Sequence, residues 1–151
     1  MEKQFEILRA SRLIILKSIE NLTIDQLNKI PVGFKNNIAW NLIHLLVTQQ
    51  LLCYKFSGLE VAIGSEIIDD YKKGTEPKGY ISLEEFENIK LQFLLLVDQF
   101  KTDFNAAIFK EYKPYTTSAK VTLNDIQDAI EFNNFHEGIH LGYILALKKL
   151  V

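Results

Sequence analysis

Two histidines four residues apart, His136 and His140, are the part of this 151-residue chain best suited to chemistry. On an α-helix that spacing puts both imidazoles on one face, a turn apart, where two nitrogens can converge on one metal ion. A third histidine, His44, lies far upstream in an apolar run and is the only other imidazole in the chain. Three protein nitrogens leave a divalent ion at least one open coordination position, the arrangement of catalytic rather than closed structural sites. Three imidazoles accept zinc, nickel, cobalt, copper or iron, so the donor set by itself names no metal.

His136-Glu137-Gly138-Ile139-His140 also fits H-E-x-x-H, in which two histidines hold zinc and the glutamate is the general base of a protease. Such proteases usually take a third ligand from downstream. The eleven residues after His140 contain no Asp, Glu, His or Cys, which argues against that assignment. Glu137 stands about 100° round the helix from His136 and reads either as a surface carboxylate or as a group that holds water and assists proton transfer; it is the one candidate catalytic residue. Helical geometry puts Trp40, Asn41 and Thr48 on the His44 face, and Asn133 and Tyr143 one turn before His136 and one turn after His140; these five are the candidate pocket residues. Their alternative is ordinary packing. Cys53, nine residues past His44, falls about 180° away and reads as a small buried hydrophobe.

The elements that must bring these residues together are helical. Phe5, Leu8, Leu13, Leu16 and Ile19 mark one buried stripe over residues 3 to about 20. Thr23 with Gln26 forms a capping box for a short turn, before Pro31 and Gly33 break the pattern. A largely buried helix runs from Ile38, capped by Asn36 or Asn37, to about Phe56 and stops near Ser57-Gly58. Residues 59–81 read as a long crossover with room for one short helix. Ser82 with Glu85 opens a third long helix to about Phe109, with Phe86, Ile89, Phe93, Leu96, Val97, Phe100 and Phe104 inward. Thr122 opens the last helix, which ends on Lys148 and Lys149, where the helix dipole favours cations. Gly138 and Gly142 each cost this helix about 1 kcal/mol relative to alanine, which suggests another helix packed close by. The pattern predicts an all-α, single-domain protein over residues 1–151, with little sign of strands.

Composition limits the partners. With 17 basic and 19 acidic residues, interspersed, the chain offers no stripe for nucleic acid or anionic membrane. A single cysteine excludes an internal disulfide and any thiolate-rich cluster. The N-terminus reads as an amphipathic surface helix rather than a signal peptide, and no apolar run reaches the roughly 18 residues of a membrane span, so the expected location is the cytoplasm. The apolar content of 48% leaves room for a homodimer interface.

Asn37-Ile38-Ala39-Trp40-Asn41-Leu42-Ile43-His44-Leu45, joined to His136-x-x-x-His140-x-Gly142-x-Ile144, resembles the DinB-like family of damage-inducible bacterial proteins over essentially the whole chain. The resemblance implies a four-helix bundle in up-down-down-up order with the long crossover between the second and third helices. It implies a divalent metal, commonly zinc or nickel, on His44, His136 and His140. It also implies a transferase that joins a low-molecular-weight thiol to an electrophile in detoxification or stress response. The alternatives are a hydrolase using metal-activated water and a non-catalytic metal or small-molecule binding module. One departure falls at Tyr143, where the family often carries glutamine.

Overall fold

Reciprocal caps start two of the helices. Thr23 accepts from the Gln26 amide while the Gln26 side chain accepts from the Thr23 amide, opening α2 (Ile24–Asn28), and Ser82 and Glu85 do the same for α5 (Leu83–Asn105). The computed structural model, which describes all 151 residues, also contains α1 (Glu2–Ile19), α3 (Ile38–Gln49), α4 (Ser65–Tyr71) and α6 (Ile126–Leu147). The expected all-α class is what is seen, apart from one small antiparallel ribbon of β1 (Tyr115–Thr116) and β2 (Thr122–Leu123).

The four long helices pack as α1 against α5 and α6, and α3 against α5 and α6. Their apolar faces form two clusters. One joins Ile15 and Ile19 of α1, Ile38 to Val47 of α3, Phe86 to Phe93 of α5, and Ile144 and Leu147 of α6. The other joins Phe5 and Leu8 of α1, Leu52 to Tyr54 beyond α3, Val97 and Phe100 of α5, and Ala129 and Ile130 of α6. Between them lies a polar layer with one contributor from each long helix. Arg12 on α1 donates to Glu137 on α6 from Nε at 3.1 Å and Nη2 at 2.8 Å, to the Phe93 carbonyl on α5 at 2.7 Å, and to Gln49 Oε1 at the end of α3 at 3.4 Å. Its guanidinium also lies 4.3 Å from the Phe93 ring centroid.

That layer corrects the stripe expected on α1. The buried positions are Phe5, Leu8, Arg12, Ile15 and Ile19, an alternation of three and four, whereas Leu13 is 45% exposed. An apolar count passes over Arg12 because a charged residue is rarely fully buried without a partner. One boundary is as expected and two differ. α3 continues through a π-helical turn (Gln50–Tyr54) and a 3₁₀ turn (Lys55–Ser57), ending on left-handed Gly58 (φ 71°) as expected. α5 stops at Asn105 rather than near Phe109, because the chain turns at Ala107 (φ 54°). Asp125, not Thr122, caps α6, its carboxylate accepting from the Gln127 and Asp128 amides, since Thr122 is paired with Thr116 in the ribbon.

Candidate metal centre

The N-terminus of α3 is tied down by asparagines. Asn37 Oδ1 accepts from the Trp40 amide at 2.8 Å, and its Nδ2 donates to the Asn28 carbonyl at 2.8 Å. Asn41, one turn on, donates from Nδ2 to the Asn37 carbonyl at 2.7 Å and to Asn36 Oδ1 at 3.1 Å. Those acceptors fix the amide's orientation. Its Oδ1 then lies 2.7 Å from His140 Nδ1, so that ring nitrogen carries the proton and Nε2 keeps its lone pair.

His44 is set in the same way from a different element. Its Nδ1 donates at 2.7 Å to the carbonyl of Tyr71, the last residue of α4, where helix carbonyls have no partner within their own helix. Trp40 stacks on a face of the ring, 4.6 Å between centroids and 10° between planes, and Thr48 Oγ1 lies 3.3 Å from Nε2. The crossover segment thus selects the tautomer of a histidine on α3. Nothing in the spacing of residues 59–81 announces that role.

The fold brings all three imidazoles together. Centroids are 5.2 Å apart for His44 and His136, 4.9 Å for His44 and His140, and 4.5 Å for His136 and His140. One nitrogen from each lies within 4.8 Å of the others. Burial lowers the pKa of each ring: that of His136 falls to about 3, helped by the charges of His140 and His44, and that of His140 to about 4, helped by His44. His44 is lowered too, the Tyr71 carbonyl opposing the shift. All three are neutral near pH 7, the state a metal ligand requires. His136 Nδ1 is buried without a hydrogen-bond partner, which a core histidine ordinarily avoids. Three converging neutral nitrogens, two of them with the distal ring N–H already engaged, fit a divalent metal of the zinc or nickel type.

The imidazoles line a cavity of about 460 Å³, with Trp40, Thr48, Leu51, Leu52 and Phe56 from the α3 side, Phe132 from α6, and Tyr115, Thr117 and Ser118 from the ribbon. Lys55 and Lys73 stand in the same wall, which contains no carboxylate. Tyr115 stacks on Phe56 at 4.5 Å. Of the five candidate pocket residues, Trp40 and Thr48 line the cavity, and Asn41 acts from behind His140. Asn133 and Tyr143 are elsewhere. Asn133 is buried in the core one turn before Glu137, and Tyr143 packs edge-on against Phe34 at 5.7 Å.

Glu137 is not a surface carboxylate: it is fully buried, and its Oε1 accepts twice from Arg12. The 100° that separates it from His136 turns it into the polar layer, and it does not line the cavity. Burial raises its pKa, against the Arg12 guanidinium. Cys53 is fully buried and unpaired, its thiol pushed well above the usual range by desolvation, as a small core hydrophobe would be.

The second-tier contact at His140 yields a prediction. Asn41→Leu removes the acceptor while keeping the volume, and is expected to weaken metal binding by about 10–100-fold. Asn41→Asp, which keeps an acceptor for His140 Nδ1 but loses the donors to Asn37 and Asn36, is expected to retain more of the affinity than Asn41→Leu. Competition with a chromophoric chelator measures both, and equal loss in the two variants would count against the orienting role.

The chain matches the family model of the DinB superfamily over residues 7–144, and it belongs to that superfamily. No curated protein matches it. No helix is long and apolar enough to cross a membrane.

Proposed function

We propose that this member of the DinB superfamily is a cytoplasmic metal-dependent transferase that joins a low-molecular-weight, anionic thiol to an electrophile, on an up-down-down-up four-helix bundle. The bundle order is supported by the two apolar clusters, in which the ends of α1 and α6 share a layer with the beginnings of α3 and α5. His44, His136 and His140 would hold the metal, which supplies Lewis acidity that lowers the pKa of a thiol entering the cavity.

The observation that carries the reading is the character of the cavity wall. The chain has a net charge of −2, yet this wall presents two lysines and no carboxylate beside three neutral imidazoles. Lys55 and Lys73 have no ion-pair partner in the chain and would bind a carboxylate of the thiol cosubstrate. Trp40, Phe56 and Phe132 give the reacting groups an apolar wall that limits water. In the transfer itself the sulfur–carbon bond forms as the bond to the leaving group breaks. The leaving group takes that electron pair, and the thiol proton passes to solvent. Hydrolysis by metal-activated water is less supported, because the carboxylate that the H-E-x-x-H spacing offers for proton transfer, Glu137, is bound by Arg12 and does not line the cavity.

The test is consumption of a chromogenic aryl halide by metal-loaded protein with thiols that carry a carboxylate and thiols that lack one. Thiol-dependent turnover with a preference for the carboxylate is expected. The double variant Lys55→Ala/Lys73→Ala is expected to raise KM for the anionic thiol about tenfold with little change in kcat, and to leave a neutral thiol unaffected. Turnover that proceeds without thiol would replace this reading with hydrolysis, and metal binding without turnover would reduce it to a binding module.

A further inference from the structure

Gly138 and Gly142 lie in the middle of α6, are exposed, and have nothing within 4 Å of where a Cβ would stand. The close helix that these costly residues suggest is therefore not within the chain. They belong to a seam of exposed residues, Glu131, Phe135, Gly138, Gly142, Leu145 and Lys149, spaced alternately four and three apart along the helix and into the 3₁₀ turn that follows it. That is the spacing of a helix–helix contact line. Phe135 is 56% exposed and Leu145 39%. Exposed Ile139 flanks the seam on one side; Ile7 and Ile14 of α1, which is bound to α6 through the Gln4–Asn134 hydrogen bonds, flank it on the other.

The seam is its own complement when reversed. Around the level of residue 140, an antiparallel copy of α6 sets Glu131 opposite Lys149, Phe135 opposite Leu145 and Gly138 opposite Gly142. Neither Glu131 nor Lys149 has an ion-pair partner within the chain. A parallel copy in register would instead set like charges together at both ends. A two-fold interface requires the same patch on both subunits to be self-complementary, and the glycines at its centre permit close approach of the two backbones. From this we infer that the chain forms a homodimer through antiparallel pairing of α6, with a second copy as the occupant of this face.

Sedimentation equilibrium of the full chain at micromolar concentrations tests the inference. Wild type is expected to be a dimer. Gly142→Leu fills the centre of the seam from an exposed position at which a Cβ meets nothing within 4 Å, so it is expected to give a monomer with unchanged helix content by circular dichroism. Glu131→Lys and Lys149→Glu are each expected to raise the dimer dissociation constant about tenfold, and the double exchange to restore it. A monomeric wild type, a dimer that survives Gly142→Leu, or a double exchange that restores nothing would each overturn the proposal.

Discussion

Alanine at His44 or at His140 is expected to take the protein from near one equivalent of divalent metal to almost none. The two residues sit on different helices, 4.9 Å apart between ring centroids, so each loss tests whether α3 and α6 contribute to one site. Two remaining imidazoles bind a divalent ion far more weakly than three, because the ion must replace a protein nitrogen with water while the same ordering cost is met by fewer bonds. The check is elemental analysis of untagged protein purified without chelator and again after reconstitution with zinc or nickel. A variant with all three histidines intact but Cys53→Ala should keep its metal, since that thiol is buried in the other apolar cluster. Metal retained by both His44→Ala and His140→Ala would mean that the three rings do not form a shared site, and the transferase and hydrolase readings would fall together.

The largest effect on stability is expected at Arg12. Arg12→Met leaves Glu137 buried with no countercharge and removes donors from the Phe93 carbonyl and Gln49, a change of about 3–5 kcal/mol. In a chain of this size that lowers Tm by about 10 °C or more. The double variant Arg12→Met/Glu137→Leu exchanges the pair for apolar side chains of similar volume, and should recover most of the loss because no charge is left stranded. Thermal and urea unfolding of the two singles and the double give the coupling directly. The same double variant divides two roles of Glu137. If it keeps both metal and thiol turnover, the carboxylate serves the polar layer; if it folds and binds metal but cannot turn over, Glu137 takes part in proton transfer after all.

Local chemistry explains what was legible in the chain. Caps act within three residues, so Thr23 with Gln26 and Ser82 with Glu85 could be read directly, and both close as expected. The spacing of His136 and His140 puts them on one helical face by backbone geometry alone, and apolar periodicity placed His44 on a second buried helix. Periodicity was less informative where a polar group is buried. Arg12 and Glu137 are 125 residues apart, and each is tolerable in the core only because the fold supplies the other. Sequence spacing put Glu137 on the surface or beside the metal; the fold turned it to Arg12.

The helical class, the starts of most helices and the three imidazoles are legible in the chain, because each depends on residues no more than about a turn apart or on residue type alone. That the three rings meet, which of their nitrogens are free, what lines the cavity and which glycines face outward all follow from how the helices pack. Those outcomes depend on partners distant in the chain: the Tyr71 carbonyl at the end of α4 for His44, Asn41 for His140, and a ribbon that places Tyr115 and Thr117 in the wall. A hydrogen bond or a wall between distant segments leaves no period in the sequence, since its energy is realised only once the helices have packed.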